Sequence, residues 1–171
     1  MAETVEAAVD AGQSGSMTRP RLGTIRVDVT RLAQKRLEAV YKSGDRAFEI
    51  EIDEPEERGG TNEGPSPLGF FVAGTASCLL MQYVNVLQER PLPVESMKIL
   101  ARAHNDREAR IFTDMVFQVS LTGPISAAEA EALARDASQR CFVENTLDKV
   151  IPLTTEVELN GTRIATLSRK P

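Results

Sequence analysis

Tryptophan is absent from the 171 residues, cysteine occurs twice, and there is a single histidine, His104. One histidine removes most histidine-based metal centres and weakens any serine–histidine reading. Basic residues are outnumbered too, with 20 Lys and Arg against 25 Asp and Glu, a net charge of -5. A general nucleic-acid partner needs a basic face against phosphates, so none is expected. The opening "MAETVEAAVDAGQSGSM" lacks the basic flank and apolar stretch of a signal peptide. The apolar runs read as too short and too interrupted to span a bilayer. These absences lead to an expected cytoplasmic protein with no membrane partner, whose two cysteines rest as thiols. Gly59-Gly60 lacks the lysine and helix spacing of a phosphate loop. Asp53, Glu54, Glu56 and Glu57 read as a wet loop, since no histidine supports a metal site there. No cofactor is implied.

What is present has an α+β order. Residues 1–20 are small, polar and acidic and read as a flexible segment; residues 21–171 read as a single domain. Ile25, Val27 and Val29 alternate with polar neighbours, as do Phe48, Ile50 and Ile52, with a turn at Ser43-Gly44-Asp45. Strands are expected throughout that region, although "TRLAQKRLEAV" contains good helix formers. Ser66 caps a helix that Pro67 opens and "RPLP" stops near Glu89. In it Phe70, Ala73, Ser77, Leu80, Val84 and Leu87 form one stripe, and Phe71, Gly74, Cys78, Met81 and Asn85 the next. A helix apolar over so much of its surface is expected to be central. Two strands follow around a turn placed at Asn105-Asp106, with Ile111, Thr113, Met115, Phe117, Val119 and Leu121 on one face. Ser126 and Glu129 then make a capping box for a helix that carries Cys141 toward the core. A closing strand turns at Asn160-Gly161.

The two cysteines admit three readings from the residues alone: small buried hydrophobes, a structural disulfide, or redox thiols. Cys78 lies about three turns inside its helix, beyond reach of the helix dipole. A thiolate there needs a cation from elsewhere, and arginine is the natural one.

"GPSPLGFFVAGTASC" resembles the helix-start motif of the OsmC/Ohr family, the osmotically inducible and organic hydroperoxide resistance proteins. "CFVENTL" resembles that family's second-cysteine motif, and the "DEPEERGG" loop also fits; the likeness runs from Ile25 to Gly161. It implies an OsmC-like fold, strands packed around a long buried central helix in an intertwined homodimer, with thiol sites at the subunit boundary. It also implies reduction of organic hydroperoxides, with Cys78 as the peroxidatic and Cys141 as the resolving cysteine. A dithiol reductant, lipoyl-type or other, would restore both. Phe70, Phe71, Leu80 and Met81 would supply the oily wall for the substrate.

The departures are specific. Leu68 and Gly69 stand where family members carry a glutamate that orients the activating arginine, and Glu63 is near but out of register. The arginine itself comes from the N-terminal strands, where Arg46 and Arg36 flank the expected place at Val40, Arg46 ranking slightly ahead. Phe142 replaces the proline after the second cysteine. The alternative these changes open is a non-catalytic OsmC-like member that binds an apolar ligand.

Overall fold

A computed structural model describes residues 23–171; the acidic segment over 1–20 lies outside them. The chain opens with three antiparallel strands, β1 (Val27–Ala33), β2 (Arg36–Ser43) and β3 (Arg46–Ile52), in that order across one sheet. Strand patterning prevails over the helix formers of "TRLAQKRLEAV". Gln34 makes this possible by taking a φ of 43° at the β1–β2 turn. The loop after β3 leads into α1 (Pro67–Glu89). As expected, the Ser66 hydroxyl accepts the Gly69 N–H at 3.2 Å and Pro67 stands first in the helix.

The second half is a four-stranded sheet in the order β4 (Ser96–Asp106), β5 (Ile111–Thr122), β6 (Leu153–Leu159) and β7 (Thr162–Arg169). β5 and β6 run parallel, so the chain crosses between them through α2 (Ala127–Arg140) and the short α3 (Phe142–Leu147). The β4–β5 turn spans Arg107–Arg110 rather than Asn105-Asp106. Asn105 and Asp106 still pair with β5, and the Asp106 carboxylate folds the turn by accepting the Glu108 and Ala109 N–H groups. On β5 Met115, Phe117, Val119 and Leu121 are buried as the alternation requires, while Ile111, near the hairpin end, is exposed.

One core joins this sheet to α1, α2 and α3, and no described residue before Val72 takes part in it. Neither forecast stripe of α1 is the buried one. Thr75, Leu79, Tyr83 and Val86 face the core, and Phe70, Phe71 and Met81 are exposed. The reason is that α1 is apolar nearly all round, so its periodicity does not single out a face. Within one chain the central helix is therefore buried along one side only. A second expectation is corrected as well: α1, at 23 residues, is long and apolar enough by length and composition to cross a bilayer. Here it packs on α2, α3 and β4.

Candidate active site

Cys78 lies in α1 and Cys141 lies at the junction of α2 and α3. The expected single helix through "CFVENTL" breaks at Cys141, where ψ of 111° is extended rather than helical. Cys141 thus ends α2 and caps α3, and it remains fully buried. Packing of α1 on both helices brings the thiols together: the Cys141 Sγ–H donates to Cys78 Sγ at 3.5 Å, and both cysteines are reduced. Burial pushes the Cys141 thiol up to about 12, and the adjacent Cys78 sulfur and Glu144 carboxyl add to the rise. The Glu144 backbone N–H opposes it.

Beneath the sulfurs lies a polar group that sequence reading missed. Glu144 is fully buried, and its Oε1 accepts from Thr155 Oγ1 at 3.2 Å. Arg169 stands 3.9 Å from Oε2 and is itself tied to Asp148 at 2.5 Å and Asn145 at 2.7 Å. Tyr83, fully buried on α1, has a hydroxyl without a partner. Burial and the nearby Glu144 both keep that phenol protonated. The available signal was the Cys141-x-x-Glu144 spacing, which is that of a helix cap and its third residue. Tyr83 carried none, because an aromatic in an apolar helix reads as core.

The arginines lie elsewhere. Arg36, at the start of β2, forks between Glu51 and Glu63 at 2.7 Å each, and both carboxylates raise its pKa, Glu51 most. Glu63 is held in place by Asp53. The buried Asp53 carboxylate accepts the Thr61 hydroxyl and the backbone N–H groups of Thr61, Glu54 and Glu63. These bonds, the Thr61 hydroxyl first, hold its pKa down at about 2. The loop expected to be wet is therefore folded around one buried acid. It is also tight: a Cβ on Gly60 would lie 1.8 Å from the Glu54 carbonyl oxygen. Arg46, at the start of β3, is exposed and makes no ion pair among the described residues.

Phe70, Phe71 and Met81 lie exposed along α1, and Leu80 is half-buried. Phe71 stacks on Phe112 with ring centroids 5.4 Å apart. A cavity of about 490 Å³ lies at the N-terminal end of α1, away from the sulfurs. Leu68, Arg58, Arg107, Arg110, Ile111 and Phe112 line it. Among the described residues, no three His, Cys, Asp or Glu side chains converge as metal ligands. His104 is an exposed strand residue, 2.7 Å from Asp114.

Residues 60–156 match the family model described as OsmC-like protein. A search of curated proteins found no match. Among solved structures, an OsmC-like protein from Mycoplasma pneumoniae aligns with a TM-score of 0.70 at 19% identity, covering 80% of this chain and 97% of its own. An organic hydroperoxide resistance protein from Elizabethkingia anophelis aligns with a TM-score of 0.65 at 22% identity, covering 81% and 98%. An OsmC-like protein of unknown function from Vibrio cholerae gives 0.66 at 16% identity, covering 80% and 99%. At these identities the likeness establishes a shared fold.

Proposed function

The chain belongs to the OsmC-like protein family, and on that premise we propose that it is a thiol-dependent peroxidase acting on organic hydroperoxides. The observation that carries the reading is the pair of reduced thiols 3.5 Å apart, one half-exposed and one buried. Cys78, the more accessible, is the attacking thiolate. Its sulfur bonds to one peroxide oxygen as the O–O bond breaks, the alkoxide takes up a proton and leaves as an alcohol, and Cys78 becomes a sulfenic acid. Cys141 then attacks that sulfur, a disulfide forms and water departs. A dithiol reductant, lipoyl-type or other, returns both thiols by exchange. Phe70, Phe71, Leu80 and Met81 give the substrate's organic part an apolar surface.

The functional unit of this reading is a homodimer in the cytoplasm. Its support is the uncovered apolar side of α1 and a first sheet that adds nothing to the main core. The activating cation in this reading comes from the first sheet, and Arg36, fixed by two carboxylates, is the candidate preferred over Arg46. Glu51 and Glu63 hold its guanidinium although Leu68 and Gly69 offer no carboxylate.

One observation favours the alternative, a non-catalytic member that binds an apolar ligand. Leu68, at the position of the missing carboxylate, lines a cavity of about 490 Å³ that lies away from the sulfurs. Titrating the reduced protein with cumene hydroperoxide decides between them. The peroxidase reading expects both thiols to vanish together as one equivalent is consumed, with Cys141→Ser yielding sulfenic and then sulfinic acid at Cys78. Thiols that survive excess hydroperoxide would establish the binding reading instead.

A further inference from the structure

Glu144 has no task in the scheme above, although it is fully buried. Thr155 Oγ1 donates to its Oε1, the Ser138 hydroxyl lies against the carboxyl, and Oε2 has no hydrogen-bond partner. A buried acceptor left open in this way calls for an explanation. Cys141 presents the complementary problem. It must lose a proton before it can attack Cys78, and its sulfur is sealed from water. The two residues are close in the fold, Glu144 standing three residues after Cys141 in the first turn of α3, and the Glu144 charge acts on the Cys141 thiol. Their Cys-x-x-Glu spacing is that of a helix cap and the third helical residue.

The other groups packed around them do not qualify. Tyr83, from α1, is a phenol held protonated. Arg169, from β7, is a cation bound to Asp148, Asn145 and the Ser138 carbonyl. Ser138 of α2 and Thr155 of β6 are neutral hydroxyls. Asp148 also has an open oxygen, Oδ1, but its other oxygen is paired with Arg169 and it lies one turn past Glu144.

We propose that Glu144 is the proton acceptor for Cys141. As the Cys141 sulfur attacks an oxidised sulfur on Cys78, its proton passes to the Glu144 carboxylate. The S–S bond forms and the S–O bond of the sulfenic acid breaks. The departing hydroxide takes the proton back from Glu144 and leaves as water. Throughout the first transfer the pocket holds a single negative charge, which moves from carboxylate to sulfur. A second buried anion is never formed, and Arg169 faces the charge from 3.9 Å. Burial raises the Glu144 pKa, against the hydroxyls and Arg169, which brings the carboxyl closer to the working range of a general base.

The proposal takes the identity of the oxidised Cys78 from the peroxidase reading, but its test does not use peroxide. Reduced full-length protein is mixed with 5,5′-dithiobis(2-nitrobenzoate) by stopped flow from pH 5 to 9. The first coloured thiol reports modification of Cys78, and the second reports its displacement by Cys141. In the parent the second release should rise with pH and level off as Glu144 ionises. In Glu144→Gln it should be at least tenfold slower at pH 7 and keep climbing without a plateau, the first release being unchanged. Thr155→Val keeps the acid but removes a hydrogen bond to its charged form, so the parent's midpoint should move to higher pH. A parent-like rate and profile in Glu144→Gln would overturn the proposal, as would that defect appearing in Asp148→Asn instead. Should Glu144→Gln fail to fold, an unmoved midpoint in Thr155→Val overturns it. A normal second release in a protein that leaves hydroperoxide untouched sinks only the peroxidase reading.

Discussion

Phe117 and Phe48 both lie within antiparallel strand pairs, and their surroundings are opposite. Phe117, on β5, is fully buried between neighbouring strands and the helices that cover them. Phe48, on β3, is 48% exposed, and its ring stacks on Tyr41 of the next strand, centroids 6.2 Å apart. The contrast extends to whole regions. The sheet of β4 to β7 closes a core with α1, α2 and α3 inside one chain. The first sheet buries Ala39 and Ile52 but leaves Val27, Val29, Leu32 and Phe48 in solvent, as α1 leaves Phe70, Phe71 and Met81. These uncovered apolar residues are the surface that the proposed homodimer would bury. Cys78 and Cys141 both pack in the closed region, Cys78 on α1 and Cys141 where α2 meets α3.

The largest effects should come from attacking each region at its centre. Phe117→Ala is expected to cost about 3–5 kcal/mol whatever the protein concentration, because it hollows a core made by one chain. Phe71→Asp and Met81→Asp should instead abolish the dependence of Tm on concentration and give a monomer in light scattering. A parent that is already monomeric at micromolar concentration would break the comparison.

Next in size is Asp53, which holds the loop joining the regions. Its carboxyl sits below the ordinary range in the folded protein, at about 2. It therefore stabilises the fold above the unfolded value near 4, and that contribution is lost as pH falls toward 2. Asp53→Asn should lower stability at pH 7 and flatten the acid limb of a urea-midpoint profile between about pH 4 and 2. An acid limb as steep as the parent's would show that other carboxylates govern it.

A smaller and more selective effect is expected at the arginines. Arg36→Met should slow hydroperoxide consumption on the order of tenfold, equivalent to about 1.4 kcal/mol of lost anion stabilisation. Arg46→Met should change it by less than about twofold, since Arg46 has no ion pair to fix it. Equal rates in both variants and the parent would remove the first sheet from the chemistry. Smallest of all, His104→Gln should shift stability by under about 0.5 kcal/mol, because its contact with Asp114 is exposed.

Much of the secondary structure follows from local rules that act within a few residues. Ser66-Pro67 starts α1, Ser126 with Glu129 starts α2, and alternation marks β5 and β6. The two thiols were legible because cysteine is rare here and each occurs in a motif of fixed spacing. Other features depended on distant neighbours. The buried side of α1 could not be read, since an all-round apolar helix offers its neighbours several equivalent faces. The break at Cys141 lies where α1 packs against both α2 and α3. The β4–β5 turn moved to Arg107–Arg110 because the strand ladder continued through residues with turn-forming side chains. Sequence by itself determined the order of elements, the caps and the rarity of reactive side chains, because these depend on spacing along the chain. Only tertiary structure decided that the sulfurs lie 3.5 Å apart, that Glu144 is sealed beneath them, and that Arg36 rather than Arg46 is gripped by carboxylates. Those are contacts between residues far apart in the chain, and packing alone selects among the many that composition would allow.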